Sequence, residues 1–299
     1  MASNVQCACN SITGFAQRYE ELMRKLLVKQ YSIRTIGGYT SRIAATCLHY
    51  GKLPEDMNSD EISRYFHHIL ITRPSTSKTV FEKTRAGLSC YYREMDFPAC
   101  CASLPSIRKR QTLPVVLSPK EMLSLLRNAA DVRSKAVLGM LYSCGLRISE
   151  LCNLEIRDID SGRMSVHVRQ SKGRKDRYVP LADNMLPVLR KYYKDYRPQT
   201  YLFHASNPVV PGKKIQPREV SLILSITCTR IKLLKHITCH TLRHTFASHL
   251  LEMGENILIV QHHLGHRYLQ STLKYLQIVS PPKEVKRYFS PLDVLLKKQ

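Results

Sequence analysis

Acidic side chains are scarce in this sequence. Across 299 residues, 23 Asp and Glu stand against 46 Lys and Arg, a formal net charge of +23. That imbalance is far beyond what solubility requires and implies a polyanionic partner. Long apolar runs are missing as well. No uncharged stretch approaches the roughly 20 residues a membrane-spanning helix needs, and no apolar core follows a basic start. Neither a membrane span nor a secretory signal is therefore expected. The ten cysteines would suit a disulfide scaffold only in a short secreted chain, so reduced thiols and a cytoplasmic setting are expected. Paired zinc-ligand spacing is absent, since Cys7-Ala8-Cys9 and Cys100-Cys101 lack the gaps of a zinc module. His262, His263 and His266 form a denser cluster, with His262 and His266 one helical turn apart, but no Cys or carboxylate supports it. No metal and no cofactor is expected. Internal repeats and low-complexity tracts are also lacking, which excludes solenoids and arrays.

What is present reads as two domains, mainly α-helical. The charge is uneven: residues 1–105 carry 13 Lys/Arg against 9 Asp/Glu, and residues 106–299 carry 33 against 14. Both parts can meet a polyanion, and the second should grip it harder. Residues 1–10 read as a loose start. Helical periodicity runs from Ile12 through Leu27, then from Ser32 to a stop at Gly51. Asn58-Ser59-Asp60-Glu61 is a helix start leading to Arg73-Pro74, and a fourth helix spans Ser75 to Met95. Residues 11–104 are thus expected as a four-helix domain, with Arg34, Arg42, Lys78, Lys83 and Arg85 able to touch phosphates. Residues 105–117 read as a linker, two prolines bracketing the basic run Arg108-Lys109-Arg110. Ser118-Pro119-Lys120-Glu121 then opens a second domain, 118–299, on a capping box.

Within that second domain helices are expected over Val132–Ser143, from Ile148, over Asn184–Tyr196 and over Glu219–Lys232. The only clear β signal is a hairpin. Met164, Val166 and Val168 alternate with polar residues, Ser171-Lys172-Gly173-Arg174 turns, and Tyr178-Val179-Pro180-Leu181 returns. Lys172 at such a tip can reach into a ligand and give up a proton, whereas Arg174, Lys175 and Arg177 add positive charge beside it. Arg147 stands at a helix start, where a rigid scaffold can aim it at a phosphate. The densest chemistry lies in His240-Thr-Leu-Arg243-His244, Leu264-Gly-His266, and Tyr275 nine residues further on. His240 and Arg243, three apart, share a helix face. A histidine offers proton exchange, an arginine a planar fork for two phosphate oxygens, and a tyrosine a hydroxyl able to attack phosphorus.

Taken together, Cys144-Gly-Leu-Arg147-Ile-Ser-Glu-Leu151, the hairpin 171–180, His240-Thr-Leu-Arg243-His, Leu264-Gly-His266 and Tyr275 resemble the tyrosine recombinase or phage-integrase family, the Xer-like site-specific recombinases. The motifs fit in order over residues 118–278, and the four-helix region is similar in outline to the family's SAM-like core-binding domain. The resemblance implies a mostly helical catalytic domain with a small β-hairpin. It implies that Arg147 and Arg243 clamp the scissile phosphate and that Tyr275 attacks phosphorus to leave a 3′-phosphotyrosyl link. It gives Lys172 the leaving 5′ oxygen, His240 the tyrosine proton and His266 a phosphate hydrogen bond, with no metal or ATP. Glu150 is expected to orient Arg147 or a histidine, and His244 to face elsewhere in a structural role. Tyr268 and Tyr288 are rival tyrosines at the wrong spacing.

The implied partner is double-stranded DNA, bound by a homotetramer or with related recombinase subunits. An apolar C-terminal segment, 285–296, would pack on the neighbouring subunit. The implied setting is a bacterial nucleoid, and the processes are integration, transposition or chromosome-dimer resolution. Competing readings are a metal-dependent relaxase, a related strand-relaxing topoisomerase, and a DNA-binding accessory factor without catalysis.

Overall fold

The computed structural model describes residues 3–72, 77–106, 113–169, 176–205 and 212–278. The chain divides into two compact units, Met1–Arg110 and Gln111–Gln299. The division falls inside the basic segment 105–117.

The first unit contains α1 (Asn4–Ser11), α2 (Phe15–Val28), α3 (Ile33–Tyr50), α4 (Ser59–Thr72), α5 (Ser77–Glu94) and α6 (Pro98–Ala102). Helix α1 corrects the expectation of a loose start. Ser3 caps it by accepting the Gln6 N–H, and buried Ala8 joins the core beside α3. A short, weakly amphipathic octapeptide gives little periodic signal, so its helicity comes from docking rather than propensity. The other starts follow local chemistry. Ser32 accepts the Thr35 N–H to open α3, and Gly51 closes it with φ +68°. Asn58 and Glu61 cap each other's backbone N–H groups at 2.8 and 3.0 Å to open α4. The four expected helices form as α2–α5, and among the described residues of this unit the short α1 and α6 add two more. Leu22, Leu26, Ile36, Ile43, Phe66 and Leu88 fill the core between them. Glu55 fastens it, accepting from Tyr91 Oη at 2.6 Å and Arg18 Nε at 2.9 Å.

The second unit is built around α8 (Val132–Ser143), which is buried on nearly every side. Helices α7 (Pro119–Arg127), α10 (Met185–Tyr196), α11 (Pro217–Arg230) and α12 (Cys239–Glu252) pack against it, with α9 (Ile148–Asn153) following it in the chain. The Ser118–Glu121 capping box forms as expected. The sheet has three antiparallel strands in the order β1 (Ile159–Asp160), β2 (Ser165–Val168), β3 (Arg177–Pro180), with Val166 opposite Val179. Two residues are too few for strand alternation, so β1 had no legible signal. The turn of the hairpin, residues 170–175, lies outside the described residues, as do 279–299 with Tyr288 and the segment 285–296.

Helices α13 (Ile257–Leu264) and α14 (Gln270–Leu273) complete the unit. Phe246, Leu251, Val260, Leu264 and Tyr275 form a second, smaller apolar cluster where α12 and α13 meet. Among the described residues no helix is long and apolar enough to cross a membrane.

One glycine links the two clusters. Gly145 has φ +56°, and an added Cβ would lie 2.4 Å from the Phe246 ring. Gly145→Ala combines left-handed backbone strain with overpacking, so we expect a loss of about 2–4 kcal/mol in chemical denaturation.

Candidate active site

Helix α13 ends in a row of carbonyls that its own turns cannot satisfy. Three arginines from three other elements supply the missing donors. Arg177, at the start of β3, donates Nε to His263 O at 2.8 Å. Arg243, on α12, donates Nη2 to Leu264 O by a very short bond. Arg147, the N-cap residue of α9, donates Nη2 to Gly265 O at 3.3 Å. The negative end of a helix dipole favours cations there. Gly265 permits the close packing, since a Cβ on it would lie 3.1 Å from the Arg177 guanidinium.

A single carboxylate balances this cluster. Glu150 accepts from Arg147 Nη1 at 2.6 Å and from the Arg147 backbone N–H at 2.8 Å. It also takes two bonds from Arg177, at 3.0 and 2.8 Å, and stands 3.8 Å from Arg243. Burial opposes its ionisation, but the Arg177 hydrogen bonds and charge overcome that and hold the carboxyl down at about 2. Three guanidiniums on one carboxylate leave an uncompensated positive charge. Arg243 shows it most. It is fully buried, donates Nη1 to Gly145 O at 2.6 Å, and burial with Arg147 beside it lowers its pKa to about 10. Its buried Nε has no hydrogen-bond partner among the described residues. A water or an anion would satisfy this donor.

Tyr275 lies against this cluster. It is fully buried, and burial pushes its phenol up to about 12 although Arg243 and Arg147 pull the other way. Its hydroxyl is 2.8 Å from His244 Nδ1. The His266 ring lies parallel to the phenol at 6.4 Å between centroids, its Nδ1 bonded to Thr272 Oγ1 at 2.9 Å. Lys274 places Nζ 5.1 Å from the Tyr275 ring centroid. Burial, then the neighbouring cations, push His244 and His266 down to about 3, so both are neutral near pH 7.

The structure therefore brings Arg147, Glu150, His240, Arg243, His266 and Tyr275 to one place. His240 is exposed on the first turn of α12, its ring edge-on to His244 at 4.3 Å. The expectation that His244 faces elsewhere is corrected. Residues 240 and 244 are one helical turn apart and share a face, a signal the spacing already contained. Arg177 was read only as added charge, and nothing in the sequence marks it as the partner of Glu150. Lys274, beside the tyrosine, was also missed.

Other candidates divide differently. Lys172, Arg174 and Lys175 lie outside the described residues, as do Arg108, Lys109 and Arg110. In the first unit Arg34, Lys78, Lys83 and Arg85 are exposed and Arg42 is half-buried. Arg85 donates Nε to Pro105 O, so part of its guanidinium is already engaged. Tyr268 is exposed, with Arg267 over its ring. His266 lies beyond the end of α13, so it does not share a helix with His262 as expected. Among the described residues no three His, Cys, Asp or Glu converge as metal ligands would.

Residues 115–280 match the Phage integrase family, and residues 19–96 match the phage-integrase N-terminal SAM-like domain. The chain belongs to the phage integrase family of tyrosine recombinases. It is 34% identical over 290 residues to y4qK of Sinorhizobium fredii, named with integrases and recombinases, covering 95% of this chain and 90% of that one. It is 31% identical over 281 residues to the tyrosine recombinase XerC of Anoxybacillus flavithermus, covering 84% and 89%. It shares its fold with the Tn1549 transposon integrase, solved with circular intermediate DNA, at TM-score 0.68 and 16% identity over 94% of this chain and 99% of that one.

Two outcomes follow from the charge balance. Glu150→Ala leaves buried guanidiniums unpaired, and a loss of about 3–5 kcal/mol is expected in urea denaturation. His244 and His266 take up protons more readily unfolded, near 6.5, than folded, near 3. Their contribution is whole above pH 6.5 and is lost as pH falls toward 3. Glu150, referenced to 4.5, begins to matter only below that value. The melting temperature should therefore fall between pH 6.5 and 4.5, and fall less in a His244→Asn/His266→Asn double variant.

Proposed function

We propose that this protein is a site-specific DNA recombinase that cuts and rejoins strands through Tyr275. Convergence of Arg147 and Arg243 on the buried Tyr275, with an unpaired Arg243 donor, carries this reading. The two arginines bind the non-bridging oxygens of the scissile phosphate and offset charge that builds in the transition state. Tyr275 attacks phosphorus, the bond to the 5′ oxygen breaks, and a 3′-phosphotyrosyl ester remains. Lys172 protonates the departing oxygen. His266 hydrogen-bonds the phosphate, and His240 helps manage the tyrosine proton. The ester keeps the phosphodiester's energy, so a different 5′-hydroxyl can reseal the strand without ATP.

The partner is double-stranded DNA, gripped through phosphates by both units and by the basic segment between them. Arg34, Arg42, Lys78, Lys83 and Arg85 serve the first unit, and Arg108, Lys109, Arg110, Arg174 and Lys175 the rest. Two rounds of exchange through a four-way junction require four protomers, joined through segment 285–296, and the setting is a bacterial nucleoid. The domain plan is a core-binding domain at 11–104, a linker at 105–117 and a catalytic domain at 118–299.

A nicked suicide substrate carrying a candidate site, incubated in EDTA, tests this on a denaturing gel. Wild type should give a slow protein–DNA band, and Tyr275→Phe should give none. A band surviving Tyr275→Phe would assign another nucleophile. A band lost in EDTA and restored by a divalent cation would favour a relaxase. Retarded DNA on a native gel with no covalent band across candidate sites would favour an accessory binding factor.

A further inference from the structure

Two histidine rings lie against Tyr275, those of His244 and His266, and among the described residues only His244 has a ring nitrogen on its hydroxyl. His266 spends Nδ1 on Thr272 Oγ1. The His240 ring meets His244 edge-on at 4.3 Å, and no hydrogen bond joins it to Tyr275 among the described residues. His244 Nδ1 is 2.8 Å from Tyr275 Oη, within the range for direct proton transfer. The ring is held on the middle of α12 next to Arg243 and half-buried, with its centroid 5.4 Å from that of the phenol. His240, Lys274 and Arg243 are the charged or titratable groups around it, and together with burial they keep it neutral. In the Nε2–H tautomer of a neutral imidazole the Oη–H donates and the Nδ1 lone pair accepts, which is the arrangement a proton acceptor needs.

We propose that His244 is a catalytic residue, the group that takes the Tyr275 proton in cleavage and returns it in rejoining. This rests on Tyr275 being the nucleophile. In cleavage the Oη–H bond breaks and Nδ1–H forms while Oη bonds to phosphorus. The P–O5′ bond breaks, and that oxygen receives its proton from the leaving-group side of the site, independently of His244. Rejoining reverses each change: the incoming 5′-hydroxyl loses its proton to that side, and the phenolate leaving phosphorus recovers its own from His244. The imidazolium formed in between is offset by the phosphate held on the arginines. His240, exposed and edge-on to His244, then acts on the tyrosine proton through that ring rather than at the reacting oxygen.

The test compares full-length wild type, His244→Ala, His244→Asn and Tyr275→Phe in single-turnover adduct formation. Two suicide substrates are used, one normal and one with sulfur replacing the bridging 5′ oxygen. A thiolate leaves without a proton, so the sulfur substrate rescues defects on the leaving-group side only. His244→Ala should slow cleavage about 10²-fold or more on both substrates while retaining DNA on a native gel. His244→Asn keeps an acceptor near the hydroxyl but cannot take a proton, so it should remain slow on both. Recovery with sulfur would place His244 on the leaving group and overturn the proposal. A wild-type rate in His244→Asn would also overturn it, leaving a hydrogen-bonding role alone. The asparagine variant decides the matter if the alanine variant fails to retain DNA. An adduct formed by Tyr275→Phe would instead sink the reading of Tyr275 itself, separately from His244.

Discussion

The end of helix α13 organises the second unit. Three successive carbonyls, those of His263, Leu264 and Gly265, are each taken by an arginine from a different element. Those arginines come from β3, α12 and the start of α9, which are far apart in the chain. Glu150 ties two of them together by direct hydrogen bonds and lies near the third. Each contact is charge-assisted, and in a low-dielectric setting such bonds reward good geometry and penalise any loss of a partner. The cost of desolvating three guanidiniums is only partly met by one carboxylate and a helix end. On the proposed function, a bound phosphodiester would supply the remaining negative charge. Stability and ligand affinity are thus set by the same imbalance.

That imbalance also governs the side chains facing the arginines. Neighbouring cations disfavour protonation of His244 and His266 and add to the effect of burial. They favour ionisation of Tyr275, but burial outweighs them, so the resting phenol keeps its proton. If Tyr275 is the nucleophile proposed, holding it protonated and buried keeps it from reacting with stray electrophiles. Under the proposed chemistry, binding of a phosphate would change the field in the opposite direction, making an imidazolium less costly as the tyrosine oxygen begins to bond.

Much of this was legible in the sequence. The caps at Ser32, Asn58 and Ser118 and the stop at Gly51 are local chemistry, and they mark helix ends that the structure repeats. The motif residues Arg147, His240, Arg243, His266 and Tyr275 converge because helix spacing and a short α13–α14 connection place them together. Three features were not legible. Helix α1 depends on docking, β1 is too short to alternate, and Arg177 acts through a partner 27 residues away across the fold. His244 differs from these. Its position one turn after His240 was in plain view, but the choice between faces required knowing where Tyr275 would lie.

The seats of the arginines are backbone atoms, not side chains. A carbonyl oxygen is present whatever residue occupies the position, so substitutions along α13 cannot delete it. Gly265 is constrained by its φ of +60° and the guanidinium packed against it, and Val260 and Leu264 by their place in the smaller apolar cluster. The exposed positions of α13 can consequently change without removing a seat, and the three arginines keep their anchorage.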